Sequence, residues 1–401
     1  MDLLRKIFRI ALLLFLPLGA SAQDASITEN ELSIIIERNA QMGFNDTIDR
    51  LADDFIEASV LIADQGYELF SVFGHMALRL RCETFDKDFV YTYEGERIED
   101  RVFTFLKGDL KMGVFAIPAQ EYIDEFENGK KGLTEYTLHL SPEQKIRLWE
   151  VVDAEMMANQ DVKYDLFKHG CAARVRDWVT QAVHPEKIVY QKPLCTHNML
   201  IADIFFKHTA PDWAQFPIAT IGGGPLVYGN TLTDLQRLVA PRDLIYEWKR
   251  ATVNDVPLLS EEGVRLAQYI PIKKTWFSPL VFSIVILILC IINLWVSVPY
   301  LDWIFLTAFT IMGCVIVFAQ YFHPMSVIGW TWLAIPFNPL PAIFWRWRKK
   351  WGIVFMAIVL LWVVVMVVVP HKLTTNAHLL LALAFGLICA KSMIRNKMIS
   401  K

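Results

Sequence analysis

Cys171 is the residue of this chain whose surroundings most favour covalent chemistry. It follows the turn-forming pair His169-Gly170 and precedes a segment, residues 172–179, with the apolar spacing of an amphipathic helix. A thiol at a helix N-terminus has a lowered pKa, because unpartnered backbone N–H groups and the helix dipole stabilise the thiolate. The sequence therefore predicts a reactive thiol at Cys171.

A histidine that can serve as the base for this thiol lies about a hundred residues earlier in the chain. His75 follows Gly74 in the alternating segment 73–80, which predicts a strand. A cysteine and a histidine that are distant in sequence but adjacent in the fold are typical of thiol nucleophile catalysis. We therefore expect Cys171 to be the nucleophile and His75 its general base.

Such a site also needs a residue that orients the histidine and donors for an oxyanion. Tyr93 and Glu94, on the next predicted strand, are the candidates for the orienting residue, and Asp86 is a weaker one. The backbone amides of Gly170 and Cys171 are expected to stabilise the oxyanion.

The six cysteines are divided equally between a polar part of the chain and its apolar segments. The polar part holds Cys82, Cys171 and Cys195, and the apolar segments hold Cys290, Cys314 and Cys389. Three cysteines cannot all pair within one chain, so at least one thiol is free or pairs elsewhere. A Cys82–Cys195 disulfide and a second catalytic pair, Cys195 with His197, both stay open. Because no Cys-x-x-Cys spacing is present, we expect neither a metal site nor a cofactor.

The composition places this chemistry at a membrane. The chain has 401 residues, of which 54% are hydrophobic, and its net charge of -3 disfavours nucleic acid as a partner. Residues 1–22 combine a basic start, a short apolar core and small residues before position 23, which predicts a secretory signal peptide; an uncleaved anchor is the alternative. Residues 23–272 have the composition of an exported domain, and residues 273–401 that of a transmembrane bundle.

Five spans are predicted in the C-terminal part, near 277–298, 301–322, 325–345, 352–370 and 376–394. With a periplasmic catalytic domain, five spans place the C-terminus in the cytoplasm of a bacterium, as a multi-pass protein of the inner membrane. The basic clusters 346–350 and 395–401 then lie on the cytoplasmic side, as the positive-inside rule requires, whereas Lys273 and Lys274 do not. Prolines in the third span predict a kinked or re-entrant element.

Four polar side chains lie in or near these spans: Asn293, Gln320, His323 and Asn338. Intramembrane polar residues are functional candidates, and for Asn293 and Gln320 a packing hydrogen bond is an equal alternative. The segment 217–228, with three consecutive glycines, is either a flexible lid near the site or a plain turn.

The exported part has an α+β pattern. Strands are predicted at 59–63, 73–80, 89–93 and 136–140, and helices at 121–128 and from Pro142 to about 159. Ser141 is the expected N-cap of the second helix, with Pro142 at its first position. The helix of Cys171 follows.

The chain from about residue 59 to 178 resembles the Lnb N-terminal periplasmic domain family. The resemblance rests on the segments 68–79, 105–110, 138–142 and 164–177, and on His323-Pro324 and Asn338-Pro339-Leu340 in the membrane part. It implies a permuted papain-like fold, related to NlpC-type peptidases, in which the histidine strand precedes the cysteine helix. The chain departs from the family pattern at Gly170, where the family has Asn, and at Ala172-Ala173, near which it has Thr.

The resemblance implies N-acylation of bacterial lipoproteins. Cys171 would accept an acyl chain from a phospholipid as a thioester, and the α-amine of a diacylated lipoprotein would then attack it. Two other functions remain open on the residues alone. One is a periplasmic cysteine peptidase or amidase that acts on cell-wall peptide with the same two residues. The other is an inactive membrane scaffold, which the departure at Gly170 favours.

Overall fold

The computed structural model describes residues 52–66, 71–95, 101–158, 162–208, 213, 215–222, 232–270, 276–296, 298–323, 332–338, 345–368 and 374–399. The predicted signal peptide, the junction that holds Lys273 and Lys274, and residues 223–228 of the glycine-rich segment lie outside this part of the chain. Those interpretations stay predictions.

An antiparallel sheet forms the centre of the N-terminal part. The described strands are β1 Glu57–Ala63, β2 His75–Cys82, β3 Lys87–Gly95, β4 Lys111–Pro118, β5 Leu133–Thr137, β6 Val162–Lys163, β7 Thr252–Val253, β8 Val256–Pro257 and β9 Val264–Ala267. Seven of them form one sheet in the order β6-β4-β3-β2-β1-β5-β9, and β7 pairs with β8. The strand that begins with His75 is therefore central in the sheet, flanked by β1 and β3.

Helices cover this sheet and extend beyond it. They are α1 Arg101–Lys107, α2 Ala119–Asn128, α3 Pro142–Ala158, α4 Cys171–Val183, α5 Ile201–His208, α6 Gln215–Ile221 and α7 Pro241–Trp248. The apolar face of α4 packs with α3 against one face of the sheet, because its buried side chains join those of β2 and β3 in one core cluster. The opposite face of the sheet packs on α2.

Most of the predicted elements of this domain are confirmed. The predicted cap of α3 is present, since the Ser141 N–H donates to Gln144 Oε1 at 3.0 Å and the Gln144 N–H donates to Ser141 Oγ at 3.3 Å. The predicted strand 136–140 is wrong in position, because β5 ends at Thr137. The alternation continues through the buried Leu138, which forms only an isolated bridge with Leu259.

The C-terminal part is helical: α8 Pro279–Val296, α9 Pro299–Phe322, α10 Trp345–Val368 and α11 Asn376–Ile399. Within the described residues, three segments are long and apolar enough to cross a membrane: Pro279–Val296, Tyr300–Phe322 and Trp351–Val368. A shorter apolar segment, Asn376–Lys391, lies in α11. Of the predicted third span, the described residues 332–338 contain the 3-10 turn Trp332–Ala334 and no regular α-helix. The count of five spans stays a prediction.

A buried ionic network joins three of these helices. Lys391 Nζ of α11 donates to both carboxylate oxygens of Asp302 on α9, at 2.9 and 3.0 Å, and to Asn293 Oδ1 of α8 at 3.1 Å. Asn293 also donates to Asp302 at 2.6 Å. Asn293 is thus a packing residue, whereas the Nε2 of Gln320 is buried and has no hydrogen-bond partner among the described residues.

Candidate active site

The sheet fixes the position of His75 at the start of β2. Gly74 precedes it with φ +77°, and an added Cβ there would lie 2.5 Å from the Ala63 carbonyl oxygen. Only glycine adopts this conformation without strain, so the turn into β2 requires Gly74. On β2, His75 pairs with Ala63 of β1, at the end of the sheet where β1 finishes.

Cys171 is the first residue of α4, as predicted. Gly170 is its N-cap, with an extended backbone at φ -82° and ψ 161°, and its carbonyl accepts the first helical hydrogen bond from Arg174 at 2.9 Å. A Cβ at Gly170 would lie 2.6 Å from the Leu166 carbonyl oxygen, so the preceding turn packs too closely for a side chain. The departure from Asn at this position thus has a steric reason in this chain.

The structure brings the two predicted catalytic side chains together. The Cys171 thiol is hydrogen bonded to His75, and the backbone N–H groups of Met76 and Ala172 also donate to the sulfur. Burial raises the pKa of Cys171, but the charge of His75 and these hydrogen bonds outweigh it and hold the pKa below its ordinary value. The thiol is therefore poised to act as a nucleophile.

Thr92 is the residue that orients His75, and the sequence analysis missed it. The Nε2 atom of His75 lies 2.7 Å from Thr92 Oγ1, which leaves Nδ1 to face the thiol. Thr92 is opposite Ala77 in the β2–β3 register, one pleat from His75 on the same face of the sheet, and is fully buried. Its hydroxyl also hydrogen bonds with Tyr122 of α2. The chain of contacts is thus Cys171, His75, Thr92 and Tyr122.

Two of the three predicted candidates for the orienting role, Tyr93 and Asp86, lie away from His75. The ring of Tyr93 packs in the core cluster on the α4 side of the sheet, where the Arg174 guanidinium lies 5.4 Å from its centroid. Burial raises the pKa of Tyr93 to about 12. Asp86 lies beyond the far end of β2, in the hairpin that leads into β3. Glu94 lines the same cavity as His75 and acts electrostatically on Tyr122.

The alternative pair formed by Cys195 and His197 is not assembled as a site. Burial, Asp243 and Glu247 raise the pKa of Cys195 to about 12. His197 instead faces Asp234, with Nδ1 3.1 Å from a carboxylate oxygen. Cys82 and Cys195 are free thiols, so the disulfide that the sequence left open is not formed.

Cys171 and His75 line a cavity of about 640 Å³, which is within the ~300–1,000 Å³ range of small-molecule sites. One wall is apolar and belongs to a single hydrophobic cluster, formed by Phe105, Leu110, Leu166, Phe205, Ile218, Ile221 and Val239. Another part of the lining is polar and includes Asp64, Gln65, Glu94, Tyr122, Glu125 and Lys131. The thiol thus has access to an apolar and to a polar environment.

The apolar wall is continuous with the membrane helices. Ala319, near the end of α9, belongs to the same hydrophobic cluster as Phe105 and Phe205. His323, directly after α9, is buried, donates to the Phe105 backbone carbonyl, and lies with its ring 4.8 Å from the Phe105 ring. His323 therefore joins the bundle to the wall of the cavity. Asn338, the other predicted polar residue, is half-buried beside Phe337.

The predicted lid coincides in part with α6. Ile218, Ile221 and Gly222 line the cavity, and Phe216 stacks on the ring of His378 at 4.5 Å. Thr220 Oγ1 lies 3.0 Å from His378 Nε2, at the start of α11. The described part of the segment 217–228 is therefore a helix held between the cavity and the bundle.

One comparison with known proteins gives a match. Residues 48–202 match the family model described as the Lnb N-terminal periplasmic domain. This segment, which contains both Cys171 and His75, is therefore similar to the family whose motifs the sequence carries. No curated protein and no solved structure matches the chain. With the three membrane-capable helices, the match indicates a membrane protein that has a periplasmic domain. The permuted papain-like topology stays a prediction.

Proposed function

Because residues 48–202 match the model of the Lnb N-terminal periplasmic domain, we propose that the protein modifies lipoproteins as a membrane-bound N-acyltransferase. The observation that carries the proposal is the position of an activated Cys171 in a cavity whose apolar wall packs on a membrane-capable helix. The donor is a phospholipid, and the acceptor is the α-amine of a diacylated lipoprotein. Both substrates are anchored in the bilayer.

In the first half of the reaction, Cys171 takes the acyl chain. His75 Nδ1 accepts the thiol proton, and the thiolate attacks the ester carbonyl carbon of the phospholipid. A C–S bond forms and the ester C–O bond breaks, and His75 returns the proton to the departing lysophospholipid oxygen. Splitting the transfer through a thioester replaces one difficult step by two easier ones.

In the second half, the amine of the acceptor attacks the thioester. A C–N bond forms, the C–S bond breaks, and a proton passes through His75 back to the sulfur. The reference pKa of an α-amine is ~7.7–8.0, so a useful fraction is neutral near pH 7.

The oxyanion of each step lies at the N-terminus of α4. The first N–H groups of a helix have no acceptor within it, and the positive end of the dipole favours negative charge there. The N–H of Ala172 is directed at the sulfur, so we assign the oxyanion to the N–H of Cys171, with Gly170 as the second donor. This route needs no Asn side chain before the cysteine.

Thr92 sets the tautomer that this mechanism needs. A neutral His75 whose Nδ1 receives the thiol proton must carry its own proton on Nε2. Thr92 Oγ1 accepts that proton at 2.7 Å and donates its own to the Tyr122 oxygen. Burial, Glu94 and the nearby Cys171 raise the pKa of Tyr122, so the phenol stays neutral.

The contacts of the bundle support the proposed five-span topology. The first turn of α11 touches α6 of the domain through His378, and α10 is antiparallel to α11, with Gly352 against Cys389 and Gly386 against Met356. The start of α10 thus lies at the end of the bundle away from the domain. Since α9 ends beside the domain and α10 begins away from it, the proposed topology has one further crossing between these two helices and a cytoplasmic C-terminus.

The test is mass spectrometry of the N-terminal peptide of a reporter lipoprotein, in a bacterial host depleted of its own N-acyltransferase. We expect a triacylated peptide with the wild type and a diacylated one with Cys171→Ala or His75→Ala. Cys195→Ala is the matched control and should behave as the wild type. A diacylated peptide in all strains, with the protein present in the membrane, would refute the proposal, and muropeptide analysis would then test the amidase alternative.

A further inference from the structure

The short helix α1 exposes apolar side chains where the domain meets the bundle. Val102 and Phe103 are 53% and 51% exposed, although both are large and apolar. The Phe103 ring is stacked on that of Phe318 in α9, with centroids 5.9 Å apart and an angle of 18° between the planes. Half of the Phe103 side chain thus remains uncovered next to a helix that can cross a membrane.

The position of Phe318 in α9 shows how far this contact lies from the end of the membrane-capable segment. It lies four residues before Phe322, the end of the apolar segment Tyr300–Phe322. At ~1.5 Å per residue, Phe318 is about 6 Å inside the end of the span. Helices that lie in the membrane interface bury their apolar face to a depth of ~5–10 Å. Tyr321 and Phe322 beside it are exposed at 81% and 56%, as lipid-facing residues are.

The other face of α1 forms the catalytic cavity. Phe105 is two residues from Phe103, which places the two side chains about 200° apart on a helix. Phe105 is 7% exposed, lines the cavity and contacts Tyr164 and His323. Lys107 ends the helix, and its Nζ lies 5.9 Å from the centre of the Phe103 ring. Lysine side chains commonly lay their apolar stem along an apolar surface and keep the charged amine in water.

From these contacts we propose that α1 is immersed in the bilayer boundary on the domain side and forms the wall between lipid and the catalytic cavity. Its partner is the phospholipid bilayer itself. The immersed face brings the cavity to the depth of the acyl ester bonds, so that a donor reaches Cys171 without leaving the membrane. This inference rests on the proposed function only for the identity of the donor.

Photo-crosslinking tests the lipid contact without using catalysis. The full-length protein carries Cys171→Ala and a benzoylphenylalanine at position 103, and is reconstituted in phosphatidylethanolamine–phosphatidylglycerol vesicles that contain an alkyne-labelled phospholipid. Position 264 is the matched control, because Val264 is 64% exposed on the edge strand β9 of the same domain. Position 318 is the reference for a residue of the span.

We expect at least about ten times more lipid adduct at position 103 than at 264, and an amount comparable to that at 318. Equal labelling at positions 103 and 264 would overturn the inference. Lipid adduct at position 318 but not at 103 would also overturn it, as would the absence of adduct at position 318. Adduct at 103, combined with a diacylated reporter lipoprotein when the protein with Cys171 intact is expressed, would refute the proposed function only. Acyl transfer without adduct at 103 would refute this inference only.

Discussion

The orienting role of Thr92 can be tested by a single substitution that removes one hydroxyl and changes little else. Thr92→Val keeps the shape of a fully buried side chain on β3 and removes the acceptor that lies 2.7 Å from His75 Nε2. In this variant the neutral ring can carry its proton on Nδ1, whereas the imidazolium that forms when His75 takes the thiol proton must keep a buried Nε2–H without an acceptor. Leaving such a donor unsatisfied costs ~1–3 kcal/mol.

The size of the effect follows from that cost. One pKa unit corresponds to ~1.36 kcal/mol, so the pKa of Cys171 should rise by about one to two units. Below that pKa the thiolate fraction falls in proportion, and the rate of alkylation at neutral pH should fall by about five- to 150-fold.

The assay is alkylation of the full-length protein by iodoacetamide as a function of pH, read by mass spectrometry of the peptide that contains Cys171. The other five cysteines serve as internal references in each sample. Thr92→Ser keeps the hydroxyl and should retain the wild-type profile, and a thermal unfolding curve checks that Thr92→Val is folded. A folded Thr92→Val whose Cys171 titrates as in the wild type would refute the assignment of the orienting residue.

Three further predictions use the same protein. His75→Gln should move the pH midpoint of Cys171 alkylation upward, because the charge and hydrogen bond that lower the pKa are lost, and an unchanged midpoint would contradict the pairing. Gly170→Asn should lower the unfolding temperature and not raise acyl transfer, since its Cβ meets the Leu166 carbonyl oxygen; a gain of activity would show that the Asn of the family pattern fits here. Lys391→Met should destabilise the bundle by ~3–5 kcal/mol in detergent unfolding, whereas adding Asp302→Leu should recover most of the loss, and no recovery would argue against a paired buried charge.

The positions of Cys171 at a helix start and of His75 at a strand start were predictable from the sequence because their signals are local. Cys171 stands between a turn-forming glycine and an amphipathic segment, and His75 stands after a glycine at the start of an alternating segment. Each pattern determines the local backbone. The α+β class of the surrounding domain could likewise be predicted without knowing the order of the strands in the sheet. The contact between the two residues follows from the packing of α4 on β2 and β3.

Thr92 was not predictable, because a threonine in a strand is an ordinary β-former. Only the register that sets Thr92 opposite Ala77 makes it a neighbour of His75. Tyr93 and Glu94 were chosen from the same strand, and the two-residue period separates them: Tyr93 faces α4, while Glu94 shares the face of Thr92. A one-residue difference in register exchanges these roles.

The contact between α1 and the membrane-capable helix α9 could not be predicted from the sequence either. Segment 101–107 gives no separate signal, because seven residues are too few for a reliable helical period. Its contacts with Phe318 and His323 lie more than two hundred residues away in the chain. The apolar wall of the cavity is a tertiary feature, assembled from α1, α5, α6 and the end of α9.

The most direct test of the account is the detection of an acyl group on Cys171. Purified full-length protein is incubated with a phospholipid of defined chain length in the absence of acceptor, then digested and analysed by mass spectrometry. The account predicts a mass increase of one acyl group on the peptide of Cys171, removable by neutral hydroxylamine and absent in Cys171→Ala. An unmodified Cys171 in a protein that still N-acylates a lipoprotein peptide would contradict it.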